Sequence, residues 1–333
     1  MAVVAGIDEA GYGPRLGPLV VSGVAFEVPD EAEGQCLWER LAGIVGRSPR
    51  DRALIAVDDS KRLFSQAGGV RHIERAALAF AAAAHSPEAS AAESPSAGWH
   101  RRPACDLTFR SLLASLAEMT EDLDAYPWYR GADFSLPLAA DPAQLEADAA
   151  RLRSADGARF LEARSCPVLV GEFNRTVERV GTKSATLFMK TALLLARFWR
   201  QWGERGLTVH VDKHGGRDRY GLLLYDTFFG ARIRTLTEGR NESLYEIRDD
   251  RRRMTVGFYV NGDSRHLPIA LASIYSKYLR ELFMRNFNAW WAERLPGLKP
   301  TAGYAADANR FLADTAALRP ALGIDESLLI RSL

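Results

Sequence analysis

"GIDEAGYGPRLGPLVV", residues 6–21, decides how the rest of the chain is read. The apolar run "AVVAGID" (2–8) meets two adjacent carboxylates, Asp8 and Glu9. A turn rich in Gly and Pro follows, and then a second apolar run, "PLVVSGVAFEV" (18–28). Short apolar runs bounded by turn residues read as buried strands. Two acids side by side at a strand end repel each other, and the glycines after them leave the backbone bare. Such a segment is either a surface turn, or a place where acids hold metal ions and glycines admit a ligand close to the main chain.

The chain has 333 residues, 47% of them hydrophobic and 26% charged, which is ordinary for a soluble globular protein able to bury a sizeable core. Its net charge of +1 argues neither for nor against a polyanionic partner, so any nucleic-acid surface has to be a local patch. The three cysteines, Cys36, Cys105 and Cys166, lie far apart without C-x-x-C spacing, which fits a reducing compartment better than a disulfide framework or a zinc site. No apolar stretch is long enough for a membrane span, and the first residues lack a basic signal-peptide region. The expectation is a cytoplasmic protein with no membrane partner.

Residues 33–48 read as helical, and "ALIAVDDSKRL" (53–63) as a strand-like run into a polar turn. "RHIERAALAFAAAAH" is an alanine-rich helix, followed at 86–99 by a low-complexity Ser/Pro/Ala loop. "DLTFRSLLASLAEM" has helical spacing and leads into the aromatic segment "YPWYRGADFSLPL". Further on, "RFLEARSCPVLV" reads as a strand and "SATLFMKTALLLARFWRQWGERG" as a long amphipathic helix closed by Gly206. Strand candidates "LTVHVDKHGG" (207–216), "ARIRTLTEG" and "MTVGFYVNGDS" come next. The first and third end on acids, Asp212 and Asp263. "LPIALASIYSKYLRELFMRNFNAWW" is a helix with Pro268 in its first turn. Strands followed by long helices predict a mixed α/β fold.

Taken singly, each acid reads as an exposed strand-end residue. Taken together on neighbouring strands, Asp8, Glu9, Asp212 and Asp263 would repel strongly unless cations neutralised them. All-oxygen ligands at that density suit Mg²⁺ or Mn²⁺, and two such ions can activate water for phosphodiester hydrolysis.

At this point the chain resembles the type 2 ribonucleases H, the ribonuclease HII family. "IDEAGYGPRLGPLVVSGVAF" is similar to that family's D-E-A-G-R-G-P opening, and "DDSKRL" (58–63) to its D-S-K-x-L motif. "VHVDKH" resembles the strand carrying the third acid. "NGDSRHLPIALASIYSKYLRELFM" (261–284) resembles the K-G-D helix motif, and "TAGYAADANRF" (301–311) the G-Y-G-T-x-x-H segment. The resemblance covers roughly 3–65 and 160–312, in family order. It implies a single RNase H-like domain over 1–333: a mixed central sheet flanked by helices, an insertion at 66–158 and a C-terminal helical segment at 285–333.

The resemblance also implies an endoribonuclease that cuts RNA in RNA–DNA hybrids, or at ribonucleotides embedded in duplex DNA, by two-metal hydrolysis. Asp8, Glu9, Asp212 and Asp263 match the metal-binding carboxylates for Mg²⁺ or Mn²⁺. Gly11 and Gly13 match glycines whose backbone contacts the ribose 2′-hydroxyl. Ser60 and Lys61 match residues holding a substrate phosphate, and Tyr304 a tyrosine stacking on the deoxyribose past the junction. Tyr12 stands where the family has a basic residue, with Arg15 as a candidate replacement. Asn261, Ala305, Ala306 and Asn309 also depart from the family pattern. A metal-dependent DNA nuclease on the same fold and a binding module without catalysis are the alternatives. His210, His214 and His266 could shuttle a proton but read better as packing groups, as do Trp199, Trp202, Trp290 and Trp291. "RDDRRRM" (248–254) reads as a solvated charge run. The expected state is a monomer, and "ESLLIRSL" carries no clamp-binding motif.

Overall fold

Residues Ala2–Ala10 form the first strand of the sheet, β1, and its first seven residues are buried on both faces. That continuous apolar character belongs to a central strand covered on each side. In a computed structural model, which describes residues 1–30, 34–65, 68–84 and 107–332, six further strands join it. They are β2 (Leu19–Val28), β3 (Arg159–Val168), β4 (Leu207–Asp212), β5 (Arg232–Glu238), β6 (Glu242–Arg248) and β7 (Arg253–Tyr259). Their spatial order is β3-β2-β1-β4-β7-β6-β5. β1, β2 and β3 pair antiparallel, whereas β1, β4 and β7 run parallel as neighbours, and β5 and β6 close the far edge antiparallel. This is the mixed sheet flanked by helices that the resemblance implies.

Alternation along the strands divides the core in two. Val4, Val20, Val24 and Phe26 face the long helix Leu267–Arg294, with Ala270, Ile274 and Leu279 in the same cluster. Val3, Ala5, Ile7, Leu19 and Val21 face the other way, onto Leu187, Leu194, Leu195 and Phe198 of helix Lys183–Trp202. The long helix approaches β1 closely at Gly6. A Cβ there would stand 2.2 Å from the Pro268 carbonyl carbon and 2.5 Å from the Ile269 nitrogen. The glycine after two valines and an alanine therefore sets how near the helix can lie.

The described part of 66–158 shares this core. Phe80, on helix Val70–Ala83, meets Phe26 and Phe160 edge-on at 5.9 and 5.1 Å. Trp128 packs edge-on to Phe287 of the long helix at 5.3 Å. The low-complexity stretch 86–99 lies outside the described residues.

Four local expectations change. Of 34–48 only Leu37–Arg40 is helical, because Gly34 and Gly43 adopt φ of 87° and 83° and interrupt the chain. β6 is an additional strand that the sequence pattern does not predict. β7 ends at Tyr259, so Asp263 lies beyond the strand in a single 3₁₀ turn, Gly262–Ser264. The long helix passes through 285 and continues to Arg294, and the next helix is Ala305–Asp314. No helix among the described residues is long and apolar enough to cross a membrane.

Candidate active site

Because β1, β4 and β7 are parallel neighbours, their carboxyl ends share one edge of the sheet. Asp8 and Glu9 lie at the end of β1, and Asp212 is the last residue of β4, opposite Tyr259 of β7. Asp212 Oδ1 accepts the Gly262 amide at 2.9 Å, which ties the turn carrying Asp263 to the end of β4. Asn261 leads into that turn with φ 52°, a left-handed conformation that Asn tolerates far better than most side chains. All four acids thus lie along one edge of the sheet.

The electrostatics of this edge are one-sided. Asp8 is 8% exposed, and burial followed by the charges of Glu9 and Asp212 raises its carboxyl well above the usual range. Burial and Asp212 push Glu9 up to about 7. Asp212 is raised to about 6, first by burial and then, against the lowering Gly262 amide bond, by Asp263. Asp263 is raised by burial and by Asp59. None of the four acids forms an ion pair among the described residues. Lys61 is the cation whose field reaches Glu9, Asp212 and Asp263.

A hard divalent cation fits this donor set: buried and half-buried carboxylates, oxygen only, mutually repelling and ion-paired to no protein cation among the described residues. Among the described residues, no group of three or more His, Cys, Asp or Glu side chains is gathered tightly enough to hold an ion.

The other expected residues surround the acids. Ser60 is buried, and its Oγ lies 3.0 Å from Ser273 Oγ on the long helix; Ser273 in turn hydrogen-bonds the Asp8 carboxyl. Ser276 Oγ donates to the Asp8 carbonyl at 3.0 Å. Lys61 is exposed, its amide capped by Asp59 Oδ1 at 2.8 Å. Gly11 has φ 83°, and a Cβ there would stand 2.5 Å from Arg280 Nε and 2.6 Å from the Pro18 carbonyl oxygen. Its glycine is required by the chain's own packing. A Cβ on Gly13 would instead point into open space. Tyr304 is 48% exposed and precedes helix Ala305–Asp314, with the Arg280 guanidinium 5.7 Å from its ring.

Tyr12 faces the acids closely enough that burial and the Glu9 charge raise its phenol. Lys183 Nζ stands 5.2 Å from the Tyr12 ring, Ser184 hydrogen-bonds its hydroxyl, and Arg217 Nη2 donates to Ser184 Oγ at 2.9 Å. The positive charge beside Tyr12 therefore comes from Lys183 and Arg217. Arg15, the sequence candidate, is turned onto Asn309 Oδ1. Sequence proximity favours Arg15, whereas Lys183 and Arg217 arrive only through the packing of distant segments.

Two buried arginines hold the glycine-rich loop: Arg280, within the 261–284 motif stretch, and Arg331, which no motif announces. Arg331 donates from Nε to the Gly17 carbonyl at 2.9 Å and from Nη1 to the Gly11 and Pro14 carbonyls at 2.5 and 3.3 Å. Arg280 Nη2 donates to the carbonyls of Leu16 at 3.3 Å and Ala302 at 2.8 Å. Burial and the nearby Arg280 bring Arg331 down to about 9, so it stays charged at neutral pH.

The histidines are packing groups. His210 and His266 stack with ring centroids 3.9 Å apart, and burial lowers them to about 3 and about 4. His214 lies 3.2 Å from Thr191 Oγ1 and is likewise lowered to about 3. Trp199, Trp202 and Trp291 are core, and Trp290 packs against it. "RDDRRRM" forms the β6–β7 turn, at the opposite end of β7 from the acids.

No protein-family model matches the chain, and neither does any curated protein. Among solved structures it is similar to the RNase HII of an Archaeoglobus fulgidus PCNA:RNase HII complex, at 15% identity over 99% of this chain and 93% of that one, TM-score 0.39. It is also similar to ribonuclease H2 from Pyrococcus horikoshii OT3, at 14% identity over 98% of this chain and 92% of that one, TM-score 0.43. A third is RNase H3 from Aquifex aeolicus, at 14% identity over 98% and 71%, TM-score 0.39. All three are ribonucleases H, the class of enzyme that the motifs resemble.

Proposed function

We propose that this protein is a metal-dependent endoribonuclease of the ribonuclease H type, cutting RNA in RNA–DNA hybrids or at ribonucleotides embedded in duplex DNA. The observation that carries the reading is the placement of Asp8, Glu9 and Asp212 at the carboxyl ends of adjoining strands, with Asp263 in the turn tied to Asp212, and no protein cation ion-paired to them among the described residues. These carboxylates would hold Mg²⁺ or Mn²⁺, which when bound lowers the pKa of a water and stabilises the leaving oxygen. The chain's own residues do the rest. Ser273, anchored by Ser60, orients the Asp8 carboxyl. The open space at Gly13 leaves room for a sugar, whose 2′-hydroxyl distinguishes RNA from DNA. Lys61, Lys183 and Arg217 supply positive charge for phosphate, and the exposed Tyr304 ring offers a stacking face.

The test is cleavage of a duplex carrying one ribonucleotide, alongside an RNA–DNA hybrid and an all-DNA duplex, with Mg²⁺ or Mn²⁺. The expected result is hydrolysis of the first two and none of the third. Cleavage of the all-DNA duplex would make the protein a DNA nuclease, and metal-independent binding without product would make it a binding module.

A further inference from the structure

A cavity of about 570 Å³ outside the acid site is lined by Arg50, Arg52, Arg71 and Arg75, with His72 and Asp141. Arg75 is committed elsewhere: its Nε and Nη2 bind the wholly buried Asp148 at 2.7 and 3.1 Å. Asp141 is also engaged, accepting the Ala143 and Gln144 amides at 2.8 and 3.3 Å as the cap of helix Pro142–Arg153. Arg50, Arg52 and Arg71 have no ion-pair partner among the described residues. Three guanidiniums without an ion-pair partner therefore line one cavity against the single carboxylate of Asp141, with Arg71 Nε also donating to the Ala139 carbonyl at 3.2 Å, in a chain whose net charge is +1.

The wall is built and held. Asp148 also pairs with Arg151 at 3.5 Å. Arg75 Nη1 donates to the Arg52 carbonyl at 3.0 Å, and Arg151 Nη1 to the Ala53 carbonyl at 2.7 Å. Both arginines grip the segment that presents Arg50 and Arg52. That segment begins at the acid site, where Arg47 Nη1 donates to the Ser264 carbonyl at 3.1 Å, one residue past Asp263. At up to ~3.6 Å per residue, Arg52 lies within about 18 Å of Arg47 along the chain. That is about five phosphate spacings on one strand of a duplex.

We propose that this arginine cavity binds the phosphodiester backbone of the nucleic-acid substrate outside the cleavage site. Guanidinium forks match phosphate oxygens. Among the described residues the lining offers no Phe, Tyr or Trp to hold a nucleobase, which favours a backbone over a free nucleotide. The inference rests on the nuclease reading, and its test is separable from it.

In full-length protein carrying Asp8→Asn, duplex affinity is measured against salt, with and without Arg50→Gln, Arg52→Gln and Arg71→Gln together. These residues are exposed, and an unchanged melting temperature checks that the variant folds. The slope of log K against log salt should shrink by about 2 to 3, at about 0.9 for each phosphate no longer neutralised. It should do so for long duplexes and not for ones too short to reach from the acids to Arg52. An unchanged slope in folded protein overturns the proposal. So does saturable pyrophosphate or ATP binding that the triple variant abolishes while the duplex slope stays put, since the site would then serve a free phosphate compound. A reduced slope with no cleavage by the unmutated protein would sink the nuclease reading and leave the backbone site standing. Normal cleavage with an unchanged slope would do the reverse.

Discussion

Two sets of buried carboxylates in this molecule are treated in opposite ways. Glu74, on helix Val70–Ala83, is wholly buried, and its oxygens accept the amides of Leu138, Ala139 and Ala140 at 2.7, 2.7 and 2.8 Å and the Tyr278 hydroxyl at 2.8 Å. Asp148 takes Arg75, Arg151 and Gln144. At the carboxyl ends of β1 and β4, by contrast, the neighbours of Asp8 are Glu9 and Asp212. Where an acid serves the fold, the chain supplies a donor for it. At the acid edge Asp8 and Asp212 each take one backbone donor, the Glu9 and Gly262 amides at 2.7 and 2.9 Å, and the repulsion among the acids is left for something from outside to neutralise.

Asp8→Asn breaks the contrast most sharply. Under the proposed function, single-turnover cleavage should fall at least about a thousandfold, or ~4 kcal/mol at ~1.4 kcal/mol per decade. The melting temperature in EDTA at neutral pH should hold or rise, because one of several repelling charges is gone. A full-rate variant would remove Asp8 from the chemistry.

Glu74→Ala is the mirror image. It strands the buried Ala140 amide, the half-buried amides of Leu138 and Ala139 and a buried phenol, so urea unfolding should show a loss of about 3–5 kcal/mol, while the rate per folded molecule is kept. A loss below about 1 kcal/mol would mean that water replaces the carboxylate there.

The acid edge should also leave a mark on stability against pH. Glu9 is raised from 4.5 to about 7 and Asp212 from 3.8 to about 6, so the folded state holds protons that the unfolded chain has released. Metal-free stability should therefore fall as pH rises from about 4 to about 7. Mg²⁺ or Mn²⁺ should remove most of that fall. Melting curves in EDTA and in metal across this range decide it, and parallel curves would count against cation binding at this edge.

The same contrast shows what the sequence could and could not reveal. β1, β2 and the long helix are legible because their apolar periodicity is strong, and the acids stand out because two of them follow a buried run directly. Residues 34–48 mislead because helix-forming residues are interrupted by left-handed glycines. β6 hides because "ESLYEIR" breaks polar–apolar alternation: Ser243 is buried beside Tyr245 and Ile247, while Leu244 lies on the less buried face. Lys183 and Arg217 beside Tyr12, Ser273 beneath Asp8 and the His210–His266 stack are products of tertiary packing, and no local pattern announces them.

The smallest effect concerns the glycine-rich loop. Arg331→Ala removes the donors to Gly11, Pro14 and Gly17. It should raise KM up to about tenfold, roughly one hydrogen bond's worth, with kcat less affected. Arg331→Lys should restore part of the loss; equal failure of both variants without a KM change would mean that the loop holds itself.

Gly11 and Arg331 are separated by 320 positions. At a synthesis rate of ~5–20 residues per second, about 15–65 s pass between the making of the loop and the arrival of the guanidinium that clamps it. Through that interval the acids of β1 already exist, but the loop beside them lacks its final anchor. The order of translation thus separates the making of this loop from its clamping by the full 320 positions between Gly11 and Arg331.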